Sequence, residues 1–104
     1  MTIQMKGNRP KVTVVTVVRN ASAALKATGA NVLAQTYADI EYVIVDGAST
    51  DGTTDFARSL GDRVDVLISE RDNGIYDAMN KGVRAASGEW VIFMNAGDIF
   101  YAPD

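Results

Sequence analysis

Apolar residues occur along this chain in short dense blocks, separated by polar turns that are marked by glycine. Val12 to Val18, VTVVTVV, is almost wholly β-branched, and an apolar run without alternation predicts a strand covered on both faces. Ala21 to Gln35 follows with Ala24, Leu25, Val32 and Leu33 at helical spacing and Ser22 as a candidate cap. Gly29 weakens that expected helix by about 1 kcal/mol relative to alanine. Tyr42 to Val45 then reads as a second strand, Thr53 to Leu60 as a short helix stopped by Gly61, and Val64 to Ile68 as a third strand. Ile75 to Ala86 carries Ile75, Met79, Val83 and Ala86 at helical spacing, Gly88 ends it, and Trp90 to Met94 gives a fourth buried strand.

Strand and helix alternating with short turns between them predict an α/β fold, a Rossmann-like parallel sheet built from right-handed crossovers. Such sheets bind ligands beyond the carboxyl ends of their strands, near the point where strand order reverses. The stretches to search are therefore Arg19-Asn20, Asp46 to Asp51, Ser69 to Gly74, and Asn95 to Asp98.

Composition narrows the chemistry. The 104 residues fit a single domain, with 47% hydrophobic content and a net charge of −3. The ten Lys and Arg are scattered, so no nucleic-acid duplex is an expected partner and any nucleotide bound is a small one. Absence of cysteine and histidine excludes disulfides, thiolate zinc sites and imidazole catalysis, leaving carboxylates, hydroxyls, amides and metal-bound oxygen. Residues 1–10 read as a short leader with too few apolar positions for a signal peptide. No run approaches the roughly 20 apolar residues of a membrane-spanning helix, so a cytoplasmic location is expected.

Each strand end carries its own chemistry. In VIVDGASTDGT, Asp46 closes an apolar run at the rim of the sheet, where partial desolvation favours a polar partner. Gly47 and Gly52 permit sharp turning or close approach to a ligand, and Ser49, Thr50 and Asp51 are candidate caps for the next helix. A calcium-loop reading fails, because placing Gly52 at the sixth position puts Gly47 where an acid belongs and Arg58 where a bidentate glutamate belongs. NAGD brings Asp98 onto a small turn, which suits a hard cation that keeps water and phosphate oxygens in its shell. In SERDNGIYDAMNKG, Asp72 or Asn73 is a candidate cap for the next helix, whose first N–H groups could face an anion. Asp77 and Lys81 read as a solvated i,i+4 pair, and Tyr76 and Met79 as core.

The ordered segments VTVVTVVRN, QTYADIEYVIVDGASTDGT, SERDNGIYDAMNKG and ASGEWVIFMNAGD resemble the nucleotide-sugar-binding half of a family 2 glycosyltransferase with the GT-A fold, from Lys11 to Asp104. The GIYDAMNKG and NAGD forms are most similar to transferases that assemble bacterial surface polysaccharides. The resemblance implies that residues 11–104 bind the donor, with Val17, Val18, Arg19 and Asn20 lining the nucleobase pocket, Asp46 holding base or ribose, Asp72 bordering the donor site, Asn95 among the donor-binding residues and Asp98 at the diphosphate. Asp98 matches the last acid of the family's DxD-type motif and would hold Mg²⁺ or Mn²⁺. The reaction implied is inverting transfer from a nucleotide-sugar donor, UDP-linked as is commonest, to a saccharide or lipid-linked saccharide acceptor.

This chain departs from that pattern at three places. Arg19 stands where tyrosine is frequent, Gly47 follows Asp46 where a second acid is frequent, and Asn95 and Gly97 occupy positions where acids are common. Fewer charged ligands predict weak cation binding that the donor assists. The resemblance also places the catalytic base beyond Asp104, so the expectation is a donor-binding half prone to self-association along its fourth strand, within a protein peripheral to the inner membrane face. A phosphoacceptor signalling domain would need acids after the first strand and an acceptor aspartate after the third, where this chain reads VVRN and ISER. A nucleotide-binding or interaction module without activity is the remaining alternative.

Overall fold

The computed structural model describes residues 11–37 and 39–96. Strands β1 (Val12–Val18), β2 (Ile40–Asp46), β3 (Val66–Ser69) and β4 (Trp90–Phe93) alternate with helices α1 (Ser22–Leu33), α2 (Thr53–Ser59) and α3 (Ile75–Ala85). A single 3₁₀ turn, Gly61–Arg63, lies between α2 and β3. All pairings are parallel and the order across the sheet is β3-β2-β1-β4. The expected α/β architecture is therefore present, and all strand carboxyl ends share one edge.

The pleat sorts the apolar side chains onto two faces. Val12, Val14 and Val18 of β1 and Tyr42 and Ile44 of β2 pack with Leu25, Val32, Ala57 and Leu60 under α1 and α2. Val15, Val17, Val43 and Val45 pack with Ala78 of α3 on the other face. Every β1 residue is buried, which is why its sequence shows no polar alternation. Its two threonines are accommodated by hydrogen bonds: Thr16 pairs with the Tyr42 hydroxyl at 2.8 Å, and Thr13 donates to Glu41 at 2.8 Å.

Several expectations are corrected. β3 begins at Val66 rather than Val64, because the glycine-led 3₁₀ turn occupies the preceding residues and Asp65 caps the pairing, its carboxyl group accepting from the Tyr42 amide at 2.7 Å. β3 and β4 are only partly buried, since among the described residues each has a single partner strand; Trp90 is 64% exposed. Ser22 does not cap α1, whose cap position is Ala21, and the cap positions of α2 and α3 are Gly52 and Gly74. Tyr76 is not core but 80% exposed, and Ile75 and Val83 are about half exposed.

The reason for that last difference is the small-residue seam of α3. Ala78 and Gly82 are its buried residues, and they bring the helix axis close to β1. A Cβ built on Gly82 would meet Val15 Cγ1 at 2.4 Å. The larger apolar residues of α3 therefore flank the seam, and Ile75 stays half exposed.

Two helical glycines should respond oppositely to alanine. At Gly29 the nearest neighbour of an added Cβ is Leu60 Cδ1 at 4.0 Å, so Gly29→Ala should stabilise by about 0.5–1 kcal/mol. Gly82→Ala should destabilise by about 1–2 kcal/mol despite its better helix propensity, because Val15 is fully buried and stiff at χ1. Urea denaturation midpoints of the two variants test both signs.

Candidate functional site

The sequence places β1 at the centre and sends its successors first to one side and then to the other. Strand order consequently reverses between β1 and β4. Beyond the carboxyl end of β1 lies an open cleft of about 280 Å³ lined by Val17, Val18, Arg19, Asp72, Gly74, Ile75 and Ala78. Four residues singled out from the sequence, Val17, Val18, Arg19 and Asp72, thus meet in one cleft at the reversal point.

The floor and one wall are apolar, from Val17, Val18, Ile75 and Ala78, while Arg19 and Asp72 supply a guanidinium and a carboxyl group. This is the usual chemistry of a small-ligand site: contact area from carbon, orientation from a few polar groups. Asp72 is held by an Asx-type turn in which its Oδ1 accepts the Gly74 amide at 3.1 Å. Its other carboxyl oxygen lies over Gly47, so close that a Cβ there would stand 2.7 Å away. Gly47 is therefore required by the approach of Asp72, and a larger residue would displace that side chain.

Asp46 also lies at the strand-end edge, but its carboxylate turns away from the cleft. Pairing with Ser69 in register puts it on the α1/α2 face, opposite α3. It is fully buried and is surrounded by hydroxyl donors: Ser49 Oγ at 2.5 Å, Ser69 Oγ at 2.8 Å, and Thr54 Oγ1. Burial by itself would raise its pKa; hydrogen bonds from Ser49, Thr54 and Ser69 and from the Ser49 amide outweigh that effect and hold it below the usual aspartate range.

Asn20 fastens the neighbouring loops together. Its amide donates to Ser49 Oγ at 2.8 Å, its Oδ1 accepts the Thr50 amide at 2.7 Å, and Ala21 N donates to Thr53 Oγ1 at 3.2 Å. Asn20 and Ala48 both have positive φ, 49° and 60°. For alanine that conformation costs about 1 kcal/mol or more, and the cross-loop hydrogen bonds hold it in place. Asp51 accepts the Thr53 amide at 3.0 Å, satisfying a first-turn donor of α2 although Gly52 is the cap position. The Ser-Thr-Asp stretch is thus engaged in building the loop.

At the β4 end, Met94 N bonds Val15 O at 2.9 Å and Ala96 N bonds Val17 O at 3.3 Å. The NAGD segment therefore starts beside the end of β1, with Asn95 next to the cleft-lining strand. Asp98, the expected cation ligand, lies outside the described residues, as do residues 1–10. Among the described residues no group of three or more His, Cys, Asp or Glu side chains could hold a metal ion.

Sequence reasoning included Gly74 in the stretch to search but missed Ile75 and Ala78 as cleft residues and Lys81 as a largely covered side chain. Lys81 is only 13% exposed; its Nζ donates to Arg71 O at 2.6 Å and lies 3.3 Å from Glu70 and 3.6 Å from Asp77. The Ala78/Gly82 spacing, small residues four apart, was the available signal for which face of α3 packs.

Comparisons with known proteins agree on one family. The family described as Glycosyl transferase family 2 matches residues 13–104. A PGL/p-HBAD biosynthesis glycosyltransferase of Mycobacterium tuberculosis is 44% identical over 89 residues, covering 82% of this chain and 34% of that protein. A putative teichuronic acid biosynthesis glycosyltransferase of Bacillus subtilis is 34% identical over 93 residues, covering 86% and 37%. This chain thus spans about a third of the length of these relatives. A mannosyltransferase of Pyrobaculum calidifontis, solved with GDP-Man and Mn²⁺, superposes with a TM-score of 0.85 at 31% identity over 94% of this chain and 30% of that one. S. aureus TarS residues 1–349 with UDP-GlcNAc share the fold, with a TM-score of 0.76 at 22% identity, covering 84% and 26%.

Removing the buried carboxylate should loosen the whole loop cluster. Asp46→Ala leaves its hydroxyl donors unmatched and should destabilise by about 2–4 kcal/mol at neutral pH, Asp46→Asn by about 1–3 kcal/mol. Because the folded-state pKa is depressed, the stability due to ionised Asp46 is complete above the ordinary aspartate range and is lost as pH falls through the depressed value. The gap between wild type and Asp46→Asn should therefore shrink below about pH 4, as read from urea unfolding followed by circular dichroism across pH.

Proposed function

This chain belongs to glycosyl transferase family 2, and on that premise we propose that it binds the nucleotide part of a sugar donor in the cleft at the β1/β4 reversal. The observation that carries the reading is the convergence of Val17, Val18, Arg19 and Asp72 on that cleft. The apolar wall of Val17, Val18, Ile75 and Ala78 takes the face of the base and the ribose. The Asp72 carboxyl group accepts from a base N–H or a ribose hydroxyl, and the Arg19 guanidinium stacks on the base or pairs with phosphate. Asn20 and Asp46 act on donor binding through the loops they hold.

Transfer of the sugar to an acceptor hydroxyl, with inversion, is the reaction this site would serve. Asp98, which follows Asn95 in the NAGD segment, would hold a divalent cation, Mg²⁺ or Mn²⁺, which supplies charge neutralisation for the departing nucleoside diphosphate. Orientation remains the task of the chain: a donor fixed at its base and ribose presents its anomeric carbon in one geometry, lowering the entropic part of the barrier. Deprotonation of the acceptor is assigned to the part of the relatives that this chain does not span. The acceptor is a saccharide or lipid-linked saccharide, and a cytoplasmic site at the membrane face fits it. No helix among the described residues is long and apolar enough to cross a membrane.

UDP is the donor nucleotide on the family resemblance. GDP is the second reading, favoured by the GDP-Man complex of the Pyrobaculum mannosyltransferase. Calorimetric titration with UDP and GDP, each with and without Mn²⁺, should give binding that the cation strengthens. Asp98→Ala should remove the cation effect while Asp72→Ala weakens binding about tenfold with or without it. A folded sample that binds neither nucleotide would overturn the donor-site reading.

A further inference from the structure

Asp72 lies on the loop between β3 and α3, yet it must hold a fixed place over Gly47 to line the cleft. Its own turn, through the Gly74 amide, shapes the loop locally but does not anchor it to the rest of the molecule. The anchor is Lys81. Its side chain lies back along α3 toward the strand end, is 13% exposed, and donates from Nζ to Arg71 O at 2.6 Å, the carbonyl immediately before Asp72. Glu70 at 3.3 Å and Asp77 at 3.6 Å flank the same Nζ. Asp77 closes the arrangement from the other side, its Oδ2 accepting the Asn73 amide at 2.9 Å, immediately after Asp72. The backbone on both sides of Asp72 is thus tied to two side chains one helical turn apart.

Those side chains are themselves immobilised. α3 is seated on β1 through Ala78 and Gly82, so closely that a Cβ on Gly82 would meet Val15 Cγ1 at 2.4 Å. The rigid seam is adjacent in sequence to Lys81, so position is transmitted from the sheet to the helix, from the helix to Lys81 and Asp77, and from them to Asp72. A Lys–Asp pair four apart on a solvated helix would contribute only a few tenths of a kcal/mol. This pair differs in its partner, because the Nζ of a side chain only 13% exposed also donates to a backbone carbonyl of another segment.

We propose that Lys81, acting with Asp77, is a positioning residue that sets the Asp72 carboxyl group in the cleft and thereby determines nucleotide affinity. The proposal rests on the donor-site reading for its consequence, while the latch itself is a property of the free protein. Lys81 touches no ligand in this arrangement; it acts through Asp72. Arginine can replace it, since a guanidinium donates to a carbonyl and to two carboxyl groups, whereas methionine keeps the length and loses every hydrogen bond.

Amide hydrogen exchange and calorimetry on the full chain test the two halves separately. In Lys81→Met, exchange at Asn73 and Gly74 should accelerate by about tenfold or more, with Lys81→Arg close to wild type. Asp77→Asn, which keeps an oxygen for the Asn73 amide and loses the charge facing Lys81, should fall between them and serves if Lys81→Met does not fold. For UDP or GDP, whichever the wild type binds, Lys81→Met should raise Kd about tenfold, and should add nothing in an Asp72→Ala background. Unchanged exchange at Asn73 and Gly74 in a folded variant overturns the latch. An equal loss of affinity with and without Asp72 shows that Lys81 does not act through it, and overturns the positioning role. If the wild type binds neither nucleotide while Lys81→Met still frees the two amides, the donor-site reading falls and the latch stands.

Discussion

Burial of β1 on both faces and along both edges is the constraint from which the remaining architecture follows. A strand flanked by parallel neighbours on each side needs helices above and below it, and its seven residues accordingly show no exposed position. Filling one face takes bulky partners, Leu25, Val32, Tyr42 and Leu60, under α1 and α2. Filling the other takes a helix at short range, and only the Ala78/Gly82 seam lets α3 come within contact of Val15. The same centrality generates the cleft: chain that leaves β1 for β2 and β3 and returns to β4 must diverge at the carboxyl end of β1, and the divergence leaves open space.

Polar groups at that edge are divided between the two faces, Asp46 by the strand pleat and Asp72 by the loop before α3. Asp46 points to the α1/α2 side and gathers hydroxyls from three segments of chain, Ser49, Thr54 and Ser69. It is a support for the loops, with Asn20 joining the β1 loop to the same assembly. Asp72 is on the α3 side and faces open space. Two aspartates at the rim of one sheet therefore do different work. One satisfies the loop that shapes the site, and the other is available to a ligand.

Strand and helix identities were readable because each rests on short-range pattern. Val12–Val18 could be read to the residue, since β-branched runs have few alternatives. The start of β3 was misplaced because Val64 and Val66 are equally apolar, and only the 3₁₀ turn after Gly61 distinguishes them. Tyr76 was expected in the core because such a side chain on a helix is more often core than a ligand contact, but residue type does not say which face of the helix meets the sheet. Arg19 and Asp72 could be placed at the strand-end edge, where they line the cleft, because the strand-end rule depends on connectivity alone. Lys81 was not, because i,i+4 charge spacing is the same for a solvated pair and for a latch onto a neighbouring loop.

By itself, the order of apolar blocks and turn glycines determined the α/β class and the one sheet edge to which the strand-end polar residues belong. These follow from periodicity and connectivity, which are properties of the chain read in one dimension. Tertiary structure alone decided that β4 rather than β3 adjoins β1, that Asp46 is enclosed by hydroxyls while Asp72 faces the cleft, and that Lys81 is drawn off the surface. Each depends on the distance between segments far apart in sequence, and that distance is set by how closely a helix can approach a sheet, down to the absence of a single Cβ at Gly82.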